Sequence, residues 1–196
     1  MLARARRLGV LGPGPLEDHV RHAEAYATAV ETPDRALDLG SGAGVPGLVL
    51  AVGPWASTRW VLLDASERRC ALLDEAVAAL DLAERVAVHR GRAEDAGRAG
   101  ALRGRFDVVV ARGFAAPPVT AECAAPFLVV GGHLVVSDPP DPGPDRWPAE
   151  GLAEVGLEPD GEVPGPVRLR RLRQAHPCPD RYPRRAGIPA KRPLWM

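Results

Sequence analysis

Several common features are scarce or absent in this 196-residue chain. The three cysteines, Cys70, Cys123 and Cys178, have no CxxC spacing, so neither a disulfide framework nor a zinc site is indicated. No apolar run approaches the roughly 18 to 20 residues of a membrane span. The first thirty residues also lack the apolar stretch of a secretory signal. These absences predict one soluble, cytoplasmic, monomeric protein that uses no metal and no membrane.

The chain also has almost no lysine and no net charge. Lys191 is the one lysine against many arginines, as in proteins from GC-rich genomes, so arginine content alone does not indicate RNA binding. The distribution of charge is more informative. Residues 168–196 hold nine basic residues and one acidic residue, a net charge of +8, which leaves −8 on the preceding 167 residues. This polarity predicts a basic surface for a polyanion.

Strand and helix patterns alternate along the chain, which predicts an α/β fold with a mostly parallel sheet and helices on both faces. The predicted strands are Ala36–Leu39, Trp60–Asp64, Val86–His89, Phe106–Ala111, His133–Ser137 and Val167–Gln174. The predicted helices are Leu16–Val30, Pro46–Val52, Glu67–Leu80, Pro118–Leu128 and Pro148–Val155. Proline and glycine predict loops at Pro139–Pro148 and Glu158–Pro166. We expect an N-terminal helical segment over 1–30, a ligand-binding domain over 31–176, and a basic, proline-rich, irregular arm over 177–196.

The segment after the first predicted strand, DLGSGAGVPG from Asp38 to Gly47, indicates a ligand loop. Its glycines at Gly40, Gly42 and Gly44 permit a tight turn and close approach to the backbone. Their spacing does not match the GxGxxG turn of dinucleotide enzymes. The carboxylate of Asp38 would repel a pyrophosphate but attract an aminoacyl group or a sulfonium. The loop therefore favours S-adenosylmethionine over a nicotinamide cofactor.

Two further acids follow the next strands. Asp64 ends the second predicted strand, 24 residues after Gly40, where a carboxylate accepts hydrogen bonds from ribose hydroxyls. Glu94 follows the third strand, where adenine is expected if the ribose lies at Asp64; a solvated helix cap is the alternative role for Glu94. Together these positions predict an S-adenosylmethionine site at the carboxyl ends of the first three strands.

At these residues the sequence resembles the class I methyltransferases, and more narrowly the RsmG (GidB) family. The matching segments are DLGSGAGVPG, LLDASERRCALLDEA, GRAED, FDVVVARGFA, APFLVVGGHLVVS and the terminal RYPRRAGIPAKRPLW. The resemblance implies a Rossmann-like sheet and transfer of a methyl group from S-adenosylmethionine to guanine N7 of small-subunit (16S) ribosomal RNA. It implies cofactor contacts at Gly40, Val45, Ala93, Glu94 and Arg112.

The sequence departs from the family at the end of the fifth strand. Ser137-Asp138-Pro139 stands where the family commonly has Lys-Gly, so a carboxylate replaces a cation that the family pattern places near RNA. Asp138-Pro139-Pro140-Asp141 is interpreted as a turn, because the related motif of exocyclic-amine methyltransferases follows the fourth strand and ends in an aromatic residue. Cys123 falls within a helix, which disfavours a cytosine-C5 enzyme.

Five positions are candidates for handling RNA or the reacting base. Arg112, after the fourth strand, is the candidate catalytic residue, since its planar guanidinium can hold guanine O6, a phosphate or the cofactor carboxylate. Arg184, Arg185, Lys191 and Arg192 are expected to bind RNA phosphates, unless they pair with the acidic body of the chain. A small-molecule methyltransferase and a non-catalytic cofactor- or RNA-binding relative remain alternatives.

Overall fold

A computed structural model describes residues 1–141 and 146–196. Its seven strands are β1 Arg35–Leu39, β2 Arg59–Asp64, β3 Val86–Arg90, β4 Phe106–Ala111, β5 Leu128–Ser137, β6 Leu157–Val163 and β7 Leu169–Gln174. They form one sheet of order β3-β2-β1-β4-β5-β7-β6. The first five strands are parallel, and β7 is antiparallel to both β5 and β6. The mostly parallel α/β sheet predicted from the sequence is confirmed.

In the described part of the chain, eight α-helices connect or flank the strands. They are α1 Leu2–Arg7, α2 Leu16–Glu24, α3 Gly47–Val52, α4 Glu67–Ala79, α5 Ala93–Arg98, α6 Pro117–Ala124, α7 Ala149–Ala153 and α8 Ile188–Lys191. Turns of 3₁₀ helix at Ala25–Thr28 and Ala125–Phe127 extend α2 and α6. No helix in the two described ranges is long and apolar enough to cross a membrane.

The side-chain alternation of the strands builds a separate apolar layer on each face of the sheet. Ala36 of β1 packs with α3, α4 and the buried Tyr26, whereas Leu37, its neighbour in sequence, packs with α5, α6 and α7. This is the two-residue period of a strand covered on both sides. Helices therefore lie on both faces, as the sequence predicted.

One of the two predicted loops differs from the sequence interpretation. The predicted loop Glu158–Pro166 largely forms the edge strand β6, in which Pro159 and Gly161 lie at a register shift against β7. Proline is tolerated there because an edge strand and an irregular register do not need every backbone N–H. The predicted loop Pro139–Pro148 contains residues 142–145, which lie outside the described residues.

Most residues after Pro177 have irregular backbone, as expected from the sequence, but they pack onto the body of the protein instead of extending as an arm. Tyr182 is only 7% exposed and belongs to the apolar layer on the α5–α6 face. Leu194 and Trp195 pack against the same layer, and Ile188–Lys191 is helical. The end of the chain is therefore part of the folded body.

Candidate functional site

A cavity of about 320 Å³ opens at the carboxyl ends of the parallel strands. This volume is within the range of about 300 to 1,000 Å³ seen for small-molecule sites. The cavity is lined by Gly40, Leu63, Asp64, Ala65, Arg69, Gly91, Arg92, Ala93, Glu94, Gly113, Phe114, Ala115, Val119, Cys123 and Ala190. Four candidate cofactor residues, Gly40, Asp64, Ala93 and Glu94, thus meet around one space. Asp38, Gly42, Gly44, Val45 and Arg112 lie outside its lining.

The loop after β1 depends on glycine for its shape. Gly40, Gly42 and Gly44 have φ values of 74°, 56° and 80°, all in the left-handed region. A Cβ on Gly40 would lie 2.6 Å from the Phe114 ring, and one on Gly44 would lie 2.9 Å from Leu48 Cβ. A Cβ on Gly42 would meet only Gly40 O, at 3.7 Å. Gly40 and Gly44 therefore permit internal packing, while Gly42 keeps the outer side of the loop open.

Asp38 stabilises this loop through hydrogen bonds from its buried side. Its side chain is buried, and its Oδ2 accepts a hydrogen bond of 2.9 Å from the N–H of Gly47, at the start of α3. Its backbone oxygen accepts one from Ser41 Oγ, also at 2.9 Å. Burial raises the pKa of Asp38 to about 7; the Gly47 bond opposes this, and the nearby charge of Asp64 adds to it. The structure thus gives Asp38 a role in shaping the loop.

Asp64 joins the glycine loop to the start of α4. Its Oδ2 accepts a hydrogen bond of 3.0 Å from Gly42 N–H, and its Oδ1 accepts one of 2.8 Å from Ser66 N–H. Arg69 Nη1 lies 3.5 Å from Oδ2. The carboxylate is thereby fixed at the cavity wall, where each oxygen retains a lone pair for a hydroxyl donor.

Glu94 also lines the cavity and lies in the first turn of α5. Its Oε1 accepts hydrogen bonds from Gly187 N–H at 2.9 Å and Arg92 Nη2 at 3.3 Å, and neither contact uses Oε2. Burial alone would raise the pKa of Glu94, but these hydrogen bonds and the charge of Arg92 hold it below its usual range. Glu94 is therefore an ionised acceptor at neutral pH.

Arg112 directly follows β4 and contacts α2. Its Nη2 is 2.9 Å from His19 Nδ1, and His19 Nε2 is 3.3 Å from Gly12 O. Since arginine only donates, Nδ1 must be the acceptor and Nε2 carries the proton. Burial lowers the pKa of Arg112, and burial with the charge of Arg112 lowers the pKa of the adjacent His22 to about 4. The predicted catalytic arginine is thus held by the N-terminal segment.

Most of the basic C-terminal residues are already paired with acids. Arg170, Arg171 and Arg173 on β7 pair with Glu162, Asp160 and Glu158 of β6, and Arg181 pairs with Glu154. Arg184 pairs with Glu122, whose side chain is fully buried. For Arg184 the structure therefore shows the alternative that the sequence left open, pairing with the acidic body of the chain. The side chains of Arg185, Lys191 and Arg192 are exposed and make no ion pair with any residue the structure describes.

Asp138 is the residue at which the sequence departs from the family pattern. Its carboxylate is hydrogen-bonded and lies next to two arginines. Its Oδ1 accepts a hydrogen bond of 2.8 Å from Arg146 Nη1, and Trp147 Nε1 lies 3.2 Å from each oxygen. Arg170 Nε is 3.7 Å from Oδ2. Arg146, which is 29% exposed, restores a cation near the end of β5. Arg146 and Trp147 also line a second cavity, of about 30 Å³, that shares Gly113, Phe114 and Ala115 with the first.

Sequence reasoning missed several cavity residues. Phe114 stood within a motif used for the resemblance, yet nothing local showed that its ring faces Gly40. Cys123 does line the cavity, but burial raises the pKa of its thiol well above the usual range, so it is not a nucleophile at neutral pH. Among residues 1–141 and 146–196, no three His, Cys, Asp or Glu side chains are placed to hold a metal ion.

The strand order, the glycine loop and the cavity at the strand ends define the class of protein. A solved structure of similar fold is the mitomycin 7-O-methyltransferase MmcR, with a TM-score of 0.60 and 17% identity. The match covers 80% of this chain and 54% of that one. P. horikoshii TYW2, solved in complex with MeSAdo, matches 84% of this chain and 64% of its own, with a TM-score of 0.61 and 15% identity. The fold is that of the class I methyltransferases.

Sequence comparison narrows the class to one family. Residues 16–137 match the GidB family, described as rRNA small subunit methyltransferase G. Ribosomal RNA small subunit methyltransferase G of Moorella thermoacetica is 36% identical over 186 residues, which are 90% of this chain and 77% of that protein. The protein of the same name from Symbiobacterium thermophilum is 37% identical, over 92% of this chain and 80% of its own. The chain belongs to the rRNA small subunit methyltransferase G family, as its sequence motifs indicated.

Proposed function

We propose that this chain transfers the methyl group of S-adenosylmethionine to N7 of a guanine in small-subunit (16S) ribosomal RNA. Membership of the family supports the reaction and the RNA. The cavity lined by Asp64 and Glu94 supports the cofactor, because two fixed carboxylates share a space that also reaches Gly40 of the glycine loop.

The donor set of the cavity fits an adenosyl ligand. Asp64 retains acceptor capacity for ribose hydroxyls, and the ionised Glu94 can accept from an amino group on a base. Gly42 leaves open space at the loop, where an added side chain would point outward. When bound, S-adenosylmethionine supplies an electrophilic methyl group on a sulfonium.

The observation that best supports N7 as the acceptor is that no acid or base of the described cavity lining is left over for the acceptor. The lining contains no histidine or lysine, its cysteine is a protonated thiol, and its two carboxylates, Asp64 and Glu94, are the proposed partners of the ribose and the adenine. Guanine N7 attacks with a free lone pair and has no proton to lose. Alignment of the two reacting atoms and exclusion of water then provide the catalysis, and alignment alone is worth up to about 7 to 11 kcal/mol.

We propose that the acceptor base approaches along the edge shared by the two cavities, at Gly113, Phe114 and Ala115. Arg112 precedes this edge and lies outside the lining of the larger cavity, which favours contact with the base or a phosphate over contact with the cofactor carboxylate. Arg112→Ala is then expected to lower the methyl-transfer rate by about tenfold or more while leaving the cofactor Kd within about twofold. A matching loss of cofactor affinity would assign Arg112 to the cofactor.

The exposed cations Arg185, Lys191 and Arg192 are the proposed phosphate contacts. They lie on the segment that includes Ala190, a cavity residue, so RNA bound there would be next to the reaction site. Arg184 is left out of this surface because Glu122 already holds it.

The proposed function is tested by transfer of labelled methyl groups. Purified protein, labelled S-adenosylmethionine and small ribosomal subunits from cells lacking this gene should yield labelled ribosomal RNA, whereas Asp64→Ala should reduce the rate by at least about tenfold. Label entering free nucleotides but not the subunits would contradict the proposed substrate.

A further inference from the structure

The C-terminal segment is held by hydrogen bonds to the rest of the protein, beside the cavity. Arg103, in the turn before β4, donates hydrogen bonds to three backbone oxygens of the C-terminal segment: Cys178 O at 2.7 Å, Pro179 O at 3.1 Å and Tyr182 O at 2.8 Å. Its side chain is 21% exposed. One guanidinium thus fixes the start of this segment.

A second fastening joins the segment to α6. Arg184 donates to Glu122 through its backbone N–H at 2.8 Å and its Nε at 2.9 Å, both to Oε1, while its Nη2 lies 2.5 Å from Oε2. The charge-assisted bonds to Glu122 raise the pKa of Arg184. Because Glu122 precedes the cavity residue Cys123, this pair holds the segment against the helix that forms one side of the cavity.

A third contact reaches the cavity itself. Gly187, with φ of 79°, turns the chain so that its N–H donates to Glu94 Oε1 at 2.9 Å. Three residues later, Ala190 on α8 lines the cavity. The rest of the lining near Glu94 includes Val119 and Cys123 of α6, so Ala190 adds to an apolar surface beside a fixed carboxylate.

An apolar surface with one acceptor at its edge matches the chemistry of adenine, which has apolar faces and a donating amino group. We infer that the C-terminal segment from Arg184 to Arg192 is a wall of the cofactor site, with Ala190 in contact with the adenine ring and Gly187 positioning Glu94 for its amino group. This inference rests on the proposed function. It assigns cofactor binding to residues more than ninety positions beyond Glu94 in the chain.

The small side chain of Ala190 provides a steric test. Ala190 is exposed and belongs to a four-residue helix, so a larger residue there removes no packing of the core. Ala186 is an equally suitable control: it is exposed, lies in the same segment and is not part of the cavity lining. The ligand is S-adenosylhomocysteine, which has the same adenosine and no methyl group to transfer.

Calorimetry with wild type, Ala190→Leu and Ala186→Leu compares the three Kd values. Ala190→Leu should weaken binding by about tenfold or more, because the larger side chain would occupy space proposed for the adenine ring. Ala186→Leu should stay within about twofold, and Ala190→Ser, which preserves the size, within about threefold. The Tm values of all four ligand-free proteins should agree, which separates loss of the site from loss of the fold. Should Ala190→Leu lower the Tm, Ala190→Val makes the same test with a smaller side chain.

An Ala190→Leu protein with wild-type affinity would overturn the inference. Failure of the wild-type protein to bind S-adenosylhomocysteine would instead contradict the proposed function. Equal losses in Ala190→Leu and Ala186→Leu would show a general effect of the segment and would also overturn the assignment of Ala190 to the wall.

Discussion

The hydrogen bond of 2.9 Å from Gly187 N–H to Glu94 Oε1 connects the C-terminal segment to a residue 93 positions earlier that lines the proposed cofactor cavity. It leaves Glu94 ionised, since the pKa of this buried carboxyl is held below its usual range. The C-terminal segment therefore contributes to the electrostatics of the site as well as to the packing of the fold.

The glycine loop can be tested with a matched pair of substitutions. Gly42→Val places a branched side chain on the open side of the loop, and we expect it to abolish measurable S-adenosylmethionine binding. Gly104→Val is the control, because Gly104 has a similar φ, 62° against 56°, and open space around its Cβ position, but lies outside the glycine loop. Both variants should suffer similar strain, of about 1 to 2 kcal/mol. Calorimetry should show lost affinity for Gly42→Val alone, and equal affinities in the two variants would disprove the role of the loop.

Removal of the Asp64 carboxylate should weaken S-adenosylmethionine binding by roughly 1.5 to 3 kcal/mol, or about ten- to a hundredfold, through lost charge-assisted hydrogen bonds to the ribose. Asp64→Ala also deprives Gly42 and Ser66 of their acceptor, so the Tm of the ligand-free protein should fall as well. Asp64→Asn keeps the shape of the side chain and one acceptor oxygen. It therefore separates the loss of cofactor affinity from the loss of stability. A Kd equal to wild type in both variants would mean that another residue holds the ribose.

The titration of Asp38 should appear in the pH dependence of stability. Its folded pKa is raised to about 7 from 3.8, so the folded chain binds the proton more tightly than the unfolded chain. The resulting stabilisation is complete below about pH 4 and is lost as the pH rises through about 7. Asp38→Asn should therefore flatten the free energy of unfolding between pH 5 and 8, measured with urea. The exposed Asp74→Asn serves as the control, and an unchanged slope in Asp38→Asn would contradict this titration.

The RNA surface should be visible in a salt series. Each phosphate contact on single-stranded RNA contributes a log-log slope of about −0.7, so neutralising Arg185, Lys191 and Arg192 together should flatten the slope by up to about two units. A control triple variant replaces Arg35, Arg59 and Arg105, exposed cations near the amino ends of the strands, and removes the same charge. If both triple variants change RNA affinity and slope equally, net charge rather than this surface attracts RNA.

Much of the fold could be predicted because buried parallel strands and their helices have strong local patterns. Leu72, Leu73 and Ala76 define the apolar stripe of α4, and Ser66 caps it as predicted, with Oγ accepting from Arg69 N–H. The strand β6 was missed because Pro159 and Gly161 disfavour strands, while its pairing with β7 joins residues distant in sequence, such as Glu158 and Arg173.

The candidate site could be predicted only in part, because some of its contacts join residues that are distant in sequence. Asp64 and Glu94 follow strands, and strand ends meet at one edge of a parallel sheet. The ion pair of Arg184 with the buried Glu122 and the approach of Ala190 to the cavity join residues far apart in sequence. No local pattern carries this information, which is why the C-terminal residues were expected to be a free arm.

The most direct test of the account identifies the methylated atom. Small subunits from cells lacking this gene are labelled with the purified protein and radioactive S-adenosylmethionine, and their 16S rRNA is digested to nucleosides and separated beside standards. The account predicts that the label elutes with 7-methylguanosine. Label in any other methylated nucleoside, or none in the RNA under conditions where the protein binds S-adenosylmethionine, would contradict it.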